Sequence, residues 1–123
     1  MVLVLVDDLI FLSKVRTVAG KLGVPIVTAR STEGAIADMT QAPPAMVIVD
    51  LNCRRADPLA TVAAMRADPA LKDIPTVAFA GHTQLDLLAA ARESGIGEVL
   101  TRGAFNDLLP GILARAAAPR PGS

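Results

Sequence analysis

The sequence predicts an α/β domain built on one five-stranded parallel sheet with helices on both faces. Three observations carry that prediction. Short apolar runs rich in Val, Ile and Leu recur along the chain, and two of them, residues 2–6 and 45–50, pass without polar interruption into carboxylates, as strands buried on both faces do. Between the runs, apolar residues return every three to four positions, the period of an amphipathic helix. This strand–helix alternation occurs five times with no internal repeat, so the 123 residues make one domain whose parallel strands are joined by right-handed crossovers.

Residues 2–6 form the first strand, followed by Asp7 and Asp8. Leu9, Leu12, Val15, Val18 or Ala19, and Leu22 then mark the inward stripe of a first helix, which Gly23 closes. Residues 24–28 form the second strand, and Pro25 near its start, unable to donate to a ladder, places it at a sheet edge. Ser31 or Thr32 caps a second helix reaching about Thr40, with Ala35, Ile36 and Met39 inward, and Pro43-Pro44 prevents its continuation. The third strand, 45–50, stops on Asp50, and 51–56 is a polar loop. Asp57 caps a third helix and Pro58 occupies its first turn; it runs to about residue 67 and buries Leu59, Val62, Ala63 and either Met65 or the stem of Arg66.

The turn-rich stretch 68–75 leads into a fourth strand, 76–80, ended by Gly81. Thr83 caps a fourth helix whose inward face is Leu85, Leu88, Ala89 and the stem of Arg92, with Asp86 at its positive end and Gly95 as C-cap. A short fifth strand covers 98–101. The last helix spans about 106–117 and presents Leu108, Leu109, Ile112, Leu113 and Ala116, with Pro110 early enough for most of it to survive. The domain is residues 1–117, and 118–123 is expected to be a disordered tail.

Composition narrows the function classes. Apolar residues are 52 % of the chain but aromatics only 2 %, so the core is aliphatic. Twelve basic residues balance twelve acidic ones, which leaves no electrostatic footprint for nucleic acid or an anionic membrane. No run approaches the roughly 18 consecutive apolar residues of a membrane span, and no signal peptide opens the chain, so a cytoplasmic protein is expected. The one cysteine, Cys53, fits a reducing compartment. In open α/β sheets, ligands bind beyond the carboxyl ends of the strands where strand order reverses. If the first and third strands are neighbours, Asp7, Asp8 and Asp50 meet there.

With these elements in this order, the chain resembles the receiver domain of bacterial response regulators. The resemblance rests on Val-Asp-Asp at 6–8, Val-Ile-Val-Asp-Leu-Asn at 47–52, Leu-Lys-Asp-Ile-Pro-Thr-Val at 71–77 and Glu-Val-Leu-Thr-Arg at 98–102, and covers nearly the whole chain. It implies the flavodoxin-like strand order 2-1-3-4-5, which the general rule for such folds also describes. It further implies that Asp50 accepts a phosphoryl group, that Asp7, Asp8 and Asp50 bind Mg²⁺, and that Asn52 gives the metal a backbone carbonyl. The chemistry is coherent on its own terms. A carboxylate can act as nucleophile on phosphorus, and an oxygen-seeking Mg²⁺ removes the repulsion among clustered acids and an incoming phosphate.

Four positions depart from the family pattern. Ala80 stands where the family has a Ser or Thr hydroxyl at the end of strand four, and Thr83 is read as a helix cap, not its replacement. Arg102, followed by Gly103, stands for the family's Lys and Pro; it keeps the charge with a different reach and a planar fork, and is a candidate phosphate contact or partner of Asp50. Val99 replaces the switch aromatic. The receiver is therefore atypical at its switch positions.

His82, as a lone histidine, is read as an exposed loop residue, Cys53 as a bystander and Arg54-Arg55 as a solvated loop. A signalling receiver that takes phosphate from a sensor histidine kinase or phosphotransfer protein and regulates a downstream protein partner is the leading expectation. The alternative is a phosphorylation-independent docking module or homodimer using helix four, strand five and helix five. An enzyme or flavin carrier is not expected. The loop after strand one has no hydroxyl-rich phosphate cradle, no Gly-rich phosphate motif follows any strand, and Trp and Tyr are absent.

Overall fold

The computed structural model describes residues 1–29 and 31–117, so the expected tail lies outside the described residues. Ten elements alternate: β1 (Val2–Leu5), α1 (Leu9–Leu22), β2 (Ile26–Thr28), α2 (Thr32–Gln41), β3 (Met46–Asp50), α3 (Pro58–Ala67), β4 (Thr76–Ala80), α4 (Leu85–Glu93), β5 (Glu98–Thr101) and α5 (Arg102–Ala117). Every strand pair is parallel and the order is β2-β1-β3-β4-β5, as expected, so β1 and β3 lie side by side and β2 is an edge. Pro25 falls just before β2; it has no N–H to offer, but its carbonyl accepts from Val2 N–H at 2.9 Å.

Strand side chains alternate between two cores, as period two requires. Leu3, Leu5, Val47, Val49 and Ala78 face α2, α3 and α4 through Ala35, Met39, Val62, Met65, Leu88 and Ala91. Val2, Val4, Ile48, Val77 and Phe79 face α1 and α5 through Phe11, Val15, Ala19, Phe105, Leu109, Ile112 and Leu113. The chain's three phenylalanines all lie in this second core, with ring centroids 4.4, 4.9 and 5.7 Å apart. Among the described residues no helix is long and apolar enough to cross a membrane.

The helix faces correct the sequence reading on four helices, among them the last, where Leu108 is exposed and Phe105 takes the buried side instead. The buried stripe of α1 is Phe11, Val15 and Ala19, while Leu9 is 72 % exposed; both stripes share Val15, and the aromatic ring takes the buried side. In α4, Leu88 and Ala91 are buried while Leu85 and Ala89 are exposed. There Thr83 is not the cap: Gln84 occupies that position without a side-chain cap bond, and Ser94 is the C-cap ahead of a left-handed Gly95 with φ 91°. In α3, Thr61 is buried in place of Ala63, its hydroxyl bonding the Asp57 carbonyl at 2.7 Å and Thr32 Oγ at 3.1 Å, which ties α3 to α2.

Helix α5 begins at Arg102, four residues before the expected start, and Gly103 does not delay it. Pro110 therefore sits in the helix interior, where it removes the bond to the Asn106 carbonyl. Burial of Phe105, Leu109, Ile112 and Leu113 against α1 and the sheet holds the helix together across that gap.

Candidate functional site

The carboxyl ends of β1, β3 and β4 bring the expected residues to one crevice. Asp50 is the last residue of β3, in register with Phe79 of β4, and only 4 % exposed. Its Oδ1 accepts from Asn52 N–H at 2.9 Å, and its Oδ2 lies 3.6 Å from Arg102 Nη2. Arg102 is held in that place from below, its guanidinium 5.4 Å from the Phe11 ring centroid and 5.3 Å from that of Phe79. Burial pushes the Asp50 carboxyl up, aided by the negative charges of Asp7 and Asp8, and this outweighs the Asn52 N–H and Arg102, which act downward.

The acidic pair is divided between two structural tasks. Asp8 is the N-cap of α1, its Oδ1 accepting from Ile10 N–H at 2.9 Å and Phe11 N–H at 3.2 Å. Asp7 turns toward the loop after β3. It accepts from Arg54 N–H at 2.6 Å and from the Cys53 thiol at 3.3 Å, and Arg55 Nε stands 3.9 Å away. The largest influence on Asp7, burial, acts upward, yet the bonds from this loop together bring its carboxyl below the ordinary value. Cys53 is buried, and burial pushes its thiol up, so it stays protonated and donates. Cys53 is thus not the bystander the sequence suggested, whereas Arg54 and Arg55 are exposed as expected of a solvated loop, with the Arg54 backbone N–H and the Arg55 guanidinium also turned to Asp7.

Asp7, Asp8 and Asp50 thus share a neighbourhood without converging on a point; among the described residues no three acidic, His or Cys side chains form a metal-holding group. The donor chemistry itself suits Mg²⁺. Asp8 Oδ2 and Asp50 Oδ2 each lack an N–H within hydrogen-bond distance among the described residues, and two carboxylates with a carbonyl match what this ion takes when water and phosphate complete its shell.

Sequence reasoning missed one residue altogether. Gln84 reaches across from the α4 start to the loop after β3: its Nε2 donates to Asn52 Oδ1 at 2.9 Å, and its Oε1 accepts from Asn52 Nδ2 at 2.9 Å and Gly81 N–H at 2.8 Å. An amide pair between two loops has no periodicity and no charge, so no signal in the sequence announces it. His82 is exposed, as expected, and lines a cleft of about 540 Å³ with Asp8, Ile10, Lys14 and Arg102. Ala80 is fully buried, and Val99 packs partly buried against the core.

One consequence of the buried carboxylate is measurable in metal-free buffer. A carboxyl whose folded-state pKa lies above its unfolded value holds its proton more tightly when folded, so stability falls as pH rises through the folded value and stays lower above it. Asp50→Asn removes that penalty and keeps the acceptor for Asn52 N–H. At pH 7 its thermal midpoint is expected to lie several degrees above wild type, with the gap closing toward about pH 4, where the unfolded carboxyl also takes a proton. Calorimetry at both pH values checks this, and an unchanged or lower midpoint at pH 7 contradicts it.

No family model matches the chain, and no curated protein matches it. Solved structures do. The receiver domain of NtrX from Brucella abortus is 21 % identical, with a TM-score of 0.79 over 95 % of this chain and 98 % of that one. A signal receiver domain of a histidine kinase from Syntrophus aciditrophicus is 16 % identical, with a TM-score of 0.84 over 99 % and 92 %. Chemotaxis response regulator CheY4 of Vibrio cholerae is 21 % identical, with a TM-score of 0.78 over 94 % and 96 %. Against the longer NtrX chain, this one spans 26 % of the length. At these identities the likeness is one of architecture, and with the strand order and crevice above it establishes that the chain has the receiver-domain fold of response regulators.

Proposed function

We propose that this chain is a two-component receiver that accepts a phosphoryl group on Asp50 from a phosphohistidine donor and regulates a protein partner. The observation that carries the reading is the placement of Asp50: a nearly buried carboxylate at the end of a central strand of the receiver fold, with its Oδ2 3.6 Å from a guanidinium. In the transfer, an Asp50 oxygen forms a bond to phosphorus as the donor's N–P bond breaks, and the leaving imidazole keeps the electron pair. The chain is then a recipient in signalling and turns over no substrate of its own. The reading also places it in the cytoplasm, where a sensor histidine kinase or phosphotransfer protein presents its phosphohistidine.

Asp8 Oδ2, Asp50 Oδ2 and the Asn52 carbonyl would hold Mg²⁺, while Asp7 anchors the loop that carries Asn52 and Cys53. When bound, the ion supplies positive charge against the gathered carboxylates and the phosphoryl oxygens. Arg102 contributes further positive charge beside Asp50. The side chain of Ala80 can donate nothing to the phosphoryl group, so stabilisation on that flank falls to backbone N–H groups.

Incubation with Mg²⁺ and acetyl phosphate or a phosphoramidate is expected to add the mass of one phosphoryl group to the intact protein, and none to Asp50→Ala. Absence of the adduct on wild type, or equal labelling of the variant, overturns the reading.

A further inference from the structure

Ala80 and Val99 deprive this fold of a hydroxyl on β4 and a ring on β5, yet the loops flanking Asp50 are joined all the same. We propose that Gln84 is a positioning residue that couples the chemical state of Asp50 to the start of α4. The proposal rests on the reading of Asp50 as phosphoryl acceptor and names the route by which the modification is reported.

The route is a chain of bonds. Asn52 N–H holds Asp50 Oδ1, the Asn52 side chain pairs reciprocally with Gln84, and Gln84 Oε1 also holds Gly81 N–H. Gly81 directly follows Ala80, the last residue of the strand that pairs with β3. A side chain at residue 81 would crowd this arrangement, since a Cβ there would stand 3.2 Å from Gln84 Oε1. At the other end, Gln84 is the N-cap residue of α4, and no side chain caps that helix. The clasp therefore takes the place of a cap in fastening the first turn of α4, and it fastens it to the loop that carries Asn52.

Phosphorylation changes the competition for the same donors. It adds oxygens and a charge of about −1.5 to −2 at the mouth of β3 and β4. A charged phosphoryl oxygen is a stronger acceptor than a neutral carboxamide oxygen. It draws the Gly81 N–H away from Gln84 Oε1 and pulls on the Asn52 backbone N–H, which displaces the Asn52 side chain that makes the other two bonds to the Gln84 carboxamide. The clasp opens, and the first turn of α4 loses its attachment. The reported event is thus a loosening at Leu85–Leu88, next to the exposed Leu85 side chain.

Hydrogen exchange with intact-mass readout of the same samples tests this. In wild type, treatment with Mg²⁺ and acetyl phosphate is expected to give the Asp50 adduct and speed exchange roughly tenfold at residues 88–91, the hydrogen-bonded amides that begin with Leu88 N–H on the Gln84 carbonyl, the scale of a local opening. In Gln84→Ala the fast exchange is expected without any donor, the adduct still forms, and labelling then changes these amides less than about twofold. Amides of β3 should stay as slow as in wild type, showing that the fold is intact. Gln84→Glu, which keeps an acceptor for Gly81 N–H but offers no donor to Asn52 Oδ1, should fall between the two. Slow exchange in unlabelled Gln84→Ala, or a full tenfold response to labelling in that variant, overturns the coupling while leaving Asp50 as acceptor. Absence of the adduct on wild type overturns the acceptor reading and the coupling with it.

Discussion

Phe79→Ala is expected to lower the unfolding free energy by about 3–5 kcal/mol, the cost of emptying a large aromatic site in a packed core. Phe79 is fully buried, lies 4.4 Å from the Phe105 ring and 4.9 Å from that of Phe11, and comes from a strand hydrogen-bonded on both sides. Its neighbours cannot close the gap cheaply, since β4 is fixed in register and Phe105 is anchored on α5. For a domain of this size the thermal midpoint should fall by about 12–20 °C. The variant also removes one of the two rings beneath Arg102, so the guanidinium opposite Asp50 is held less firmly. Denaturant unfolding followed by far-ultraviolet circular dichroism measures the first effect; a loss below about 1.5 kcal/mol would contradict the packing described for this core.

Arg66→Ala should cost about 2–4 kcal/mol although the residue is neither near the crevice nor fully buried. Its guanidinium gathers four acceptors: Nε bonds the Gly95 carbonyl at 3.0 Å, Nη1 the carbonyls of Lys72 and Ile74, and Nη2 the buried Thr76 hydroxyl at 2.9 Å. One side chain thereby joins the end of α3, the following connection, the first residue of β4 and the turn before β5. Truncation strands several of these carbonyls at once, and charge-assisted bonds are worth about 1.5–3 kcal/mol each before solvent takes its share. Arg66→Lys should recover little, because a single ammonium cannot reproduce the fork. A chemical-denaturation difference within about 0.5 kcal/mol for Arg66→Ala would sink this account.

The contrast between these residues shows what a sequence can display. β3 and β4 were legible nearly to the residue, because apolar runs bounded by Pro, Gly and charge have few other solutions in a buried sheet, and β5, a half-buried edge strand, also falls at 98–101. The edge position of β2 followed from Pro25. Helix faces were less legible. On α1 a stripe through Leu9 and another through Phe11 both fit helical spacing, and only the tertiary contacts of Phe11 with Phe79 and Phe105 choose between them. The start of α5 was hidden because Arg102 and Gly103 look like a strand end and a breaker. At the crevice the residue types were readable and the bonds were not: Asp8 is committed to its helix, Asp7 to the loop at Cys53 and Arg54, and Gln84 carries no mark of its role. Arg66 belongs to the same group: its stem was one of two alternatives for a buried position that Met65 fills, and its guanidinium proves to be the part that ties four segments together.

The phenylalanine cluster has a practical side. Phe11, Phe79 and Phe105 are the only Phe, Trp or Tyr residues of the chain and pack together as one cluster, with Phe11 and Phe79 beneath Arg102 and Phe79 in register with Asp50. Near-ultraviolet aromatic dichroism of this protein therefore has a single origin, with no indole or phenol signal from elsewhere to obscure it. A change in those bands when a phosphodonor or metal is added reports on the floor of the crevice alone, giving a label-free optical readout at the one place where the chemistry is proposed to occur.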